Sequence, residues 1–145
     1  MPKTTNHLAT GTLATSALRY VFVYGTLRRG EQRDINMLMP APVFIAYARV
    51  AGTLYNLGDY PGLRLGGRGF VQGEVYQIGP ALELQLDEIE EVWPQQTGEY
   101  VRREVFVTFS EVLDTKLEHT CLVYEIAQLR AAGMPVISSG DWLRR

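Results

Sequence analysis

The stretch Arg19-Tyr20-Val21-Phe22-Val23-Tyr24-Gly25-Thr26-Leu27-Arg28-Arg29-Gly30 constrains this chain more than any other. Its β-branched and aromatic first half predicts a buried strand. The strand runs straight into Tyr24-Gly25-Thr26-Leu27. Glycine at such a junction lets the backbone turn sharply and lets a ligand approach the main chain with no Cβ in the way. Backbone N–H groups turned out of a strand end can form a concave site for an anion or an oxyanion. An ordinary turn has the same composition, because Gly and Thr are common turn residues. The meaning of the stretch therefore depends on what the rest of the chain brings to it.

Residues 1–18 are rich in Thr, Ala, Ser and Asn without periodicity, and predict a flexible N-terminal arm. Residues 19–145 are expected to form one domain, long enough to bury a real core. After Gly30, Glu31 to Met39 predicts two turns of helix, with Ile35, Leu38 and Met39 on one side and Pro40 as the stop. Val43 to Leu57 reads as strand, with Gly52 as a bulge or bend. Gly58-Asp59-Tyr60-Pro61-Gly62 is a turn cluster, followed by a short strand at Leu63 and Leu65 and a Gly66-Gly67 turn. Phe70 to Ile78 alternates as a strand should. Two further strands are expected at about Glu99–Phe109 and His119–Ile126. Several strands with few helices, in no regular βαβ order, indicate an α+β fold built on a mixed sheet or small barrel.

The clearest helix begins at Pro80 and runs from Ala81 to about Glu91, since proline suits the first helical position. Leu82, Leu86 and Ile89 form its apolar stripe. Asp87, Glu88 and Glu91 then point away from the core, as a solvated face would. Glu90 lies at the stripe edge, where a carboxylate can reach into a cavity while its helix stays packed. Partial burial there would raise its pKa toward neutrality, as a general base requires.

Other chemistries find little support. The net charge is −2, and Arg28, Arg29, Arg33, Arg64, Arg68, Arg102 and Arg103 are scattered among acids, so no nucleic-acid partner is expected. No apolar run approaches the roughly 18 residues that cross a bilayer, and the N-terminus lacks an apolar signal core. The single cysteine, Cys121, precludes a disulfide within the chain and fits a reducing cytoplasm; its mid-strand place suggests core rather than nucleophile. His7 and His119 show no metal-ligand spacing.

Taken together, Val21-Phe22-Val23-Tyr24-Gly25-Thr26-Leu27, Tyr60-Pro61-Gly62-Leu63, Gly73-Glu74-Val75-Tyr76, Leu86-Asp87-Glu88-Ile89-Glu90 and Tyr100-Val101-Arg102-Arg103 resemble the signatures of the γ-glutamylcyclotransferase-like family. Val123-Tyr124 and Gly140-Asp141-Trp142 resemble common family endings. The resemblance spans roughly residues 20 to 142. It implies a compact, partly open β-barrel with a few surrounding helices and a cavity. It assigns Tyr24, Gly25, Thr26 and Leu27 to the loop whose backbone holds a glutamyl group, and Glu90 to the catalytic acid/base. Tyr60, Tyr100 and Tyr124 are further pocket candidates, with core or hairpin packing as the alternative. Many family members carry Gly after the glutamate; this chain carries Glu91.

The implied reaction is attack of a substrate's α-amine on its own γ-carbonyl, closing 5-oxoproline and expelling the amine. The partner is then a small γ-glutamyl compound, and no metal or cofactor is required. The alternative is a non-catalytic binding protein using the same cavity.

Overall fold

The computed structural model describes residues 18–110 and 116–145, without the side chains of residues 110 and 116–118. The expected N-terminal arm, up to residue 17, and the polar connection around 111–115 lie outside the described residues. Among the described residues there are five strands: β1 (Arg19–Val23), β2 (Val43–Asn56), β3 (Pro61–Ile78), β4 (Tyr100–Ser110) and β5 (Lys116–Ile126). Helix α1 (Pro80–Ile89) joins β3 to β4, and a short helix α2 (Gln128–Ala131) follows β5. The sheet order is β2-β3-β1-β5-β4.

The apolar strand read from the sequence is the centre of the sheet. β1 pairs antiparallel with β3 and parallel with β5, with Tyr20 opposite Cys121 and Val21 opposite Leu122. A strand with neighbours on both edges and cover on both faces has no polar side to show, which explains its composition. One face of the sheet buries Phe22, Val50, Leu54, Val71, Val75, Val123 and Trp142. The other buries Val21, Val23, Tyr76, Ile78 and Leu122 against Leu82 and Leu86 of α1. Full burial of one such side chain contributes about 1.5–3 kcal/mol, so α1 is held by its stripe rather than by helix propensity.

The sheet curls but does not close into a barrel. The edge strands β2 and β4 approach one another without hydrogen-bonding. Ala46 and Val50 from one edge meet Val107 and Phe109 from the other, so side chains fill the seam that backbone pairing would have sealed.

Three other expectations change. The helix expected over Glu31–Met39 is a single 3₁₀ turn at Ile35–Met37. Asp34 diverts this segment: its carboxylate accepts from the N–H groups of Gly30 at 2.8 Å and Asn36 at 2.9 Å, which favours local turns over a continuous helix. Ile35 is buried as expected, whereas Met39 is exposed. The two strands expected around Gly66-Gly67 are one strand, β3. Opposite β2, its pairing passes from Leu65 to Phe70, so residues 66–69 bulge out, with Gly66 and Gly67 at φ 96° and 84°. The bend expected at Gly52 is present as a register shift beside Ala51.

Asp87 is the third correction. The helical wheel places it on the solvated face, yet it is buried. It accepts from the Tyr124 hydroxyl at 2.6 Å and from Arg102 Nη1 at 2.7 Å, so β4 and β5 bring polar partners to that side of α1. Glu88 and Glu91 are exposed as expected.

Candidate active site

The carboxyl ends of the parallel pair β1 and β5, the start of β4 and the end of α1 converge at one end of the sheet. There they enclose a cavity of about 90 Å³, room for several water-sized groups. Tyr24, Gly25, Thr26, Leu27, Tyr60, Glu90, Tyr100 and Tyr124 all line it, so the structure brings together every site residue expected from the sequence. It adds Arg33, Pro61, Glu91 and Glu99.

The loop after β1 spends its carbonyls and keeps its donors. The carbonyl oxygens of Gly25, Thr26 and Leu27 accept from Arg28, Arg33 and Ile35 N–H groups at 3.0, 2.9 and 2.9 Å. The N–H groups of Thr26 and Leu27 have no acceptor among the described residues. Two unspent donors beside a cavity suit a carboxylate or a developing oxyanion. Gly25 is required by close approach: a Cβ there would stand 2.6 Å from Pro61 Cγ.

A buried charged network fixes this loop from behind. Arg28 Nε donates to Glu74 Oε2 at 2.9 Å, and Arg28 Nη1 donates to Asp141 Oδ1 at 2.8 Å. The other Glu74 oxygen accepts from Arg29 N–H at 3.0 Å and from the Tyr76 hydroxyl at 2.8 Å. Because every charge has a partner, the burial of Arg28 and Glu74 does not leave an isolated ion.

Glu90 sits where α1 ends. Its N–H donates to Leu86 O at 2.9 Å, Glu91 N–H to Glu88 O at 3.1 Å and Val92 N–H to Asp87 O at 2.9 Å. The last two bonds, with Glu91 at φ 57°, form a Schellman ending, which normally places glycine in the left-handed position. Glu91 occupies that position with a side chain. The turn aims the Glu90 carboxyl at the cavity, part-exposed in area yet walled by protein on most sides. Burial, opposed by Arg33 and reinforced by the charges of Glu99 and Glu91, pushes its pKa up to about 7.

The tyrosines are held as neutral donors. Tyr24 donates to Tyr124 O at 2.6 Å, Tyr100 to Pro61 O at 2.7 Å and Tyr124 to Asp87 Oδ1 at 2.6 Å. Burial first, then neighbouring negative charge or hydrogen bonds to it, raises all three well above the ordinary tyrosine range. Tyr60 is also raised, chiefly by its hydrogen bond to Glu99. Among the described residues no cluster of His, Cys, Asp and Glu could hold a metal ion. Cys121 is buried in the core, and burial pushes its thiol up to about 12.

The fold and this cavity define a small α+β protein in which a loop of free amide donors and a carboxyl raised to about 7 line one cavity. Residues 21–144 match the family described as gamma-glutamyl cyclotransferase, AIG2-like. The chain is 32% identical over 125 residues to the gamma-glutamylcyclotransferase family protein YtfP of Escherichia coli strain K12, covering 86% of this chain and 96% of that protein. It is 39% identical over 72 residues to the gamma-L-glutamyl-butirosin B gamma-glutamyl cyclotransferase of Niallia circulans, covering 49% of this chain and 45% of that one. Among solved structures it resembles an AIG2-like protein from Mus musculus, with TM-score 0.66 and 27% identity over 81% of this chain and 84% of the other. The chain belongs to the γ-glutamylcyclotransferase family.

Proposed function

We propose that this protein converts a γ-glutamyl compound to 5-oxoproline and a free amine, with Glu90 as general acid/base. The observation that carries the reading is a carboxyl raised to about 7 that shares one small cavity with the free N–H groups of Thr26 and Leu27.

The substrate supplies its own nucleophile. A γ-glutamyl α-amine is tethered to the γ-carbonyl it attacks, so the protein has only to hold the folded conformer. An α-amino group ordinarily has a pKa of about 8. The free α-carboxylate beside the amine of a γ-glutamyl compound raises it above that value, so proton transfer to a base at about 7 is uphill, but less so than to an ordinary carboxylate at about 4, which is what raising Glu90 gains. The amine then attacks the γ-carbonyl, the N–H groups of Thr26 and Leu27 stabilise the oxyanion, and the protonated Glu90 returns its proton to the departing nitrogen. The attacking nitrogen, cationic once the lactam C–N bond has formed, gives its surplus proton to Glu90, and the C–N bond to the leaving amine breaks as the carbonyl re-forms. No water is consumed. The neutral hydroxyls of Tyr24 and Tyr100 keep the cavity wall polar without adding charge beside the base.

The family match supports the reaction class, and so does the relative from Niallia circulans, named a gamma-glutamyl cyclotransferase of gamma-L-glutamyl-butirosin B. The test is a panel of γ-glutamyl amino acids, peptides and amines, assayed for 5-oxoproline by mass spectrometry with wild-type and Glu90→Gln protein. Turnover that falls at least about a hundredfold in Glu90→Gln is expected. Full activity of Glu90→Gln would remove Glu90 from its role, and no 5-oxoproline from any compound would leave a binding function for the cavity.

A further inference from the structure

A second, broader groove lies beside the cavity, and Arg33 and Ile89 line both. Met37 and Leu38 form its apolar wall, and Glu31, Gln32 and Asp34 its polar one. Under the cyclotransferase reading, the glutamyl group lies inward, against the Thr26 and Leu27 amides and Glu90. The leaving amine then projects outward past Arg33.

Among the described residues, Arg33 is the only basic one lining the cavity. Nearby arginines are engaged: Arg28 with Glu74 and Asp141, Arg102 with Glu83 and Asp87, Arg130 with Glu99. The exposed Arg33 guanidinium has no ion pair or hydrogen bond among the described residues. The acids next to it are also committed. Asp34 accepts from the Gly30 and Asn36 N–H groups, and Glu31 accepts from Trp142 Nε1 at 2.9 Å. The groove thus offers one apolar wall, two acids already hydrogen-bonded, and a single planar cation that has no ion pair and whose charge also reaches Glu90. A carboxylate matches that fork, bidentate and charge-assisted, whereas a cationic or plain alkyl group does not. Glu91 and Glu99, on the lining of the same cavity, disfavour a carboxylate elsewhere at the mouth.

We propose that Arg33 recognises a carboxylate on the departing amine, so that the site selects γ-glutamyl amino acids or peptides over γ-glutamyl amines that lack one. This rests on the cyclotransferase reading for the direction in which the substrate lies.

Two probes isolate the carboxylate: γ-glutamyl-alanine and γ-glutamyl-ethylamide differ by that group alone. Binding of each is measured by calorimetry on Glu90→Gln protein, with and without Arg33→Gln, and turnover is measured on wild type and Arg33→Gln. The expected preference for γ-glutamyl-alanine is about tenfold, as for one well-aligned charge-assisted contact. It should fall to near one with Arg33→Gln and recover in part with Arg33→Lys. Using the ratio cancels any effect of Arg33 on folding or on the charge of Glu90, since both compounds experience it. Equal binding of the two compounds, or a preference that survives Arg33→Gln, overturns the proposal. The reaction itself is judged separately. An Arg33-dependent binding preference with no 5-oxoproline from either compound would uphold the recognition and reject the cyclisation.

Discussion

Replacing Glu90 by Gln is expected to make the protein more stable while stopping its chemistry. The carboxyl ordinarily titrates at 4.5 and is raised to about 7 in the folded chain, chiefly by burial. The folded state therefore binds the Glu90 proton more tightly than the unfolded state. Stability contributed by that proton is fully present below about pH 4.5 and is lost as pH rises to about 7. At about 1.36 kcal/mol per pH unit the full difference is about 3 kcal/mol, reduced to about 2 kcal/mol by solvent screening of a part-exposed group. Gln fills the same space and never ionises. Urea unfolding of both proteins from pH 4 to pH 8.5 should show curves that nearly coincide at pH 4. They should separate between 4.5 and 7 and stay apart by about 2 kcal/mol above that. A Glu90→Gln protein less stable than wild type at pH 8, or a difference independent of pH, would refute the account of how burial poises this carboxyl.

Four further outcomes follow from the same geometry. The wild-type rate should rise with pH through about 7 as Glu90 loses its proton, and Glu91→Gly should move that limb to lower pH by removing a negative charge that raises Glu90. The same substitution should raise stability by about 1 kcal/mol in denaturant titration, because Glu91 holds a left-handed φ of 57° that glycine adopts freely. Gly25→Ala should cost about 1–3 kcal/mol and most of the activity, because its Cβ would meet Pro61 Cγ at 2.6 Å and displace the amide loop. Asp141→Ala should destabilise by about 3 kcal/mol or more in the same titration, since it strips one partner from the buried Arg28 guanidinium.

Much of this arrangement is legible in the sequence because it is local. The β-branched run of β1, the Pro80 start of α1 and the stripe of Leu82, Leu86 and Ile89 each carry their own period, and each is found where it is expected. Glu90 is legible for the same reason: its place on the wheel is set by residues of its own helix. The helical wheel misplaces Asp87 because it contains only the helix, whereas Tyr124 and Arg102 arrive from strands further along the chain. The segment around Ile35 has helical spacing, but the Asp34 side chain competes for its backbone donors. Arg33 and Glu99 lie in loops where the sequence reads a helix and the start of a strand, and neither pattern marks a charged residue there as facing a cavity. Barrel closure depends on whether two distant edge strands pair, and here side chains fill the seam instead.

The central claim is that the substrate's own amine, and not water, displaces the leaving group. Incubation of wild-type protein with γ-glutamyl-alanine in water enriched in oxygen-18 tests it directly, by the mass of the first-formed product. The account predicts 5-oxoproline carrying no label, released in equal amount with free alanine. Free glutamate as the first-formed product, carrying one solvent oxygen, would contradict it.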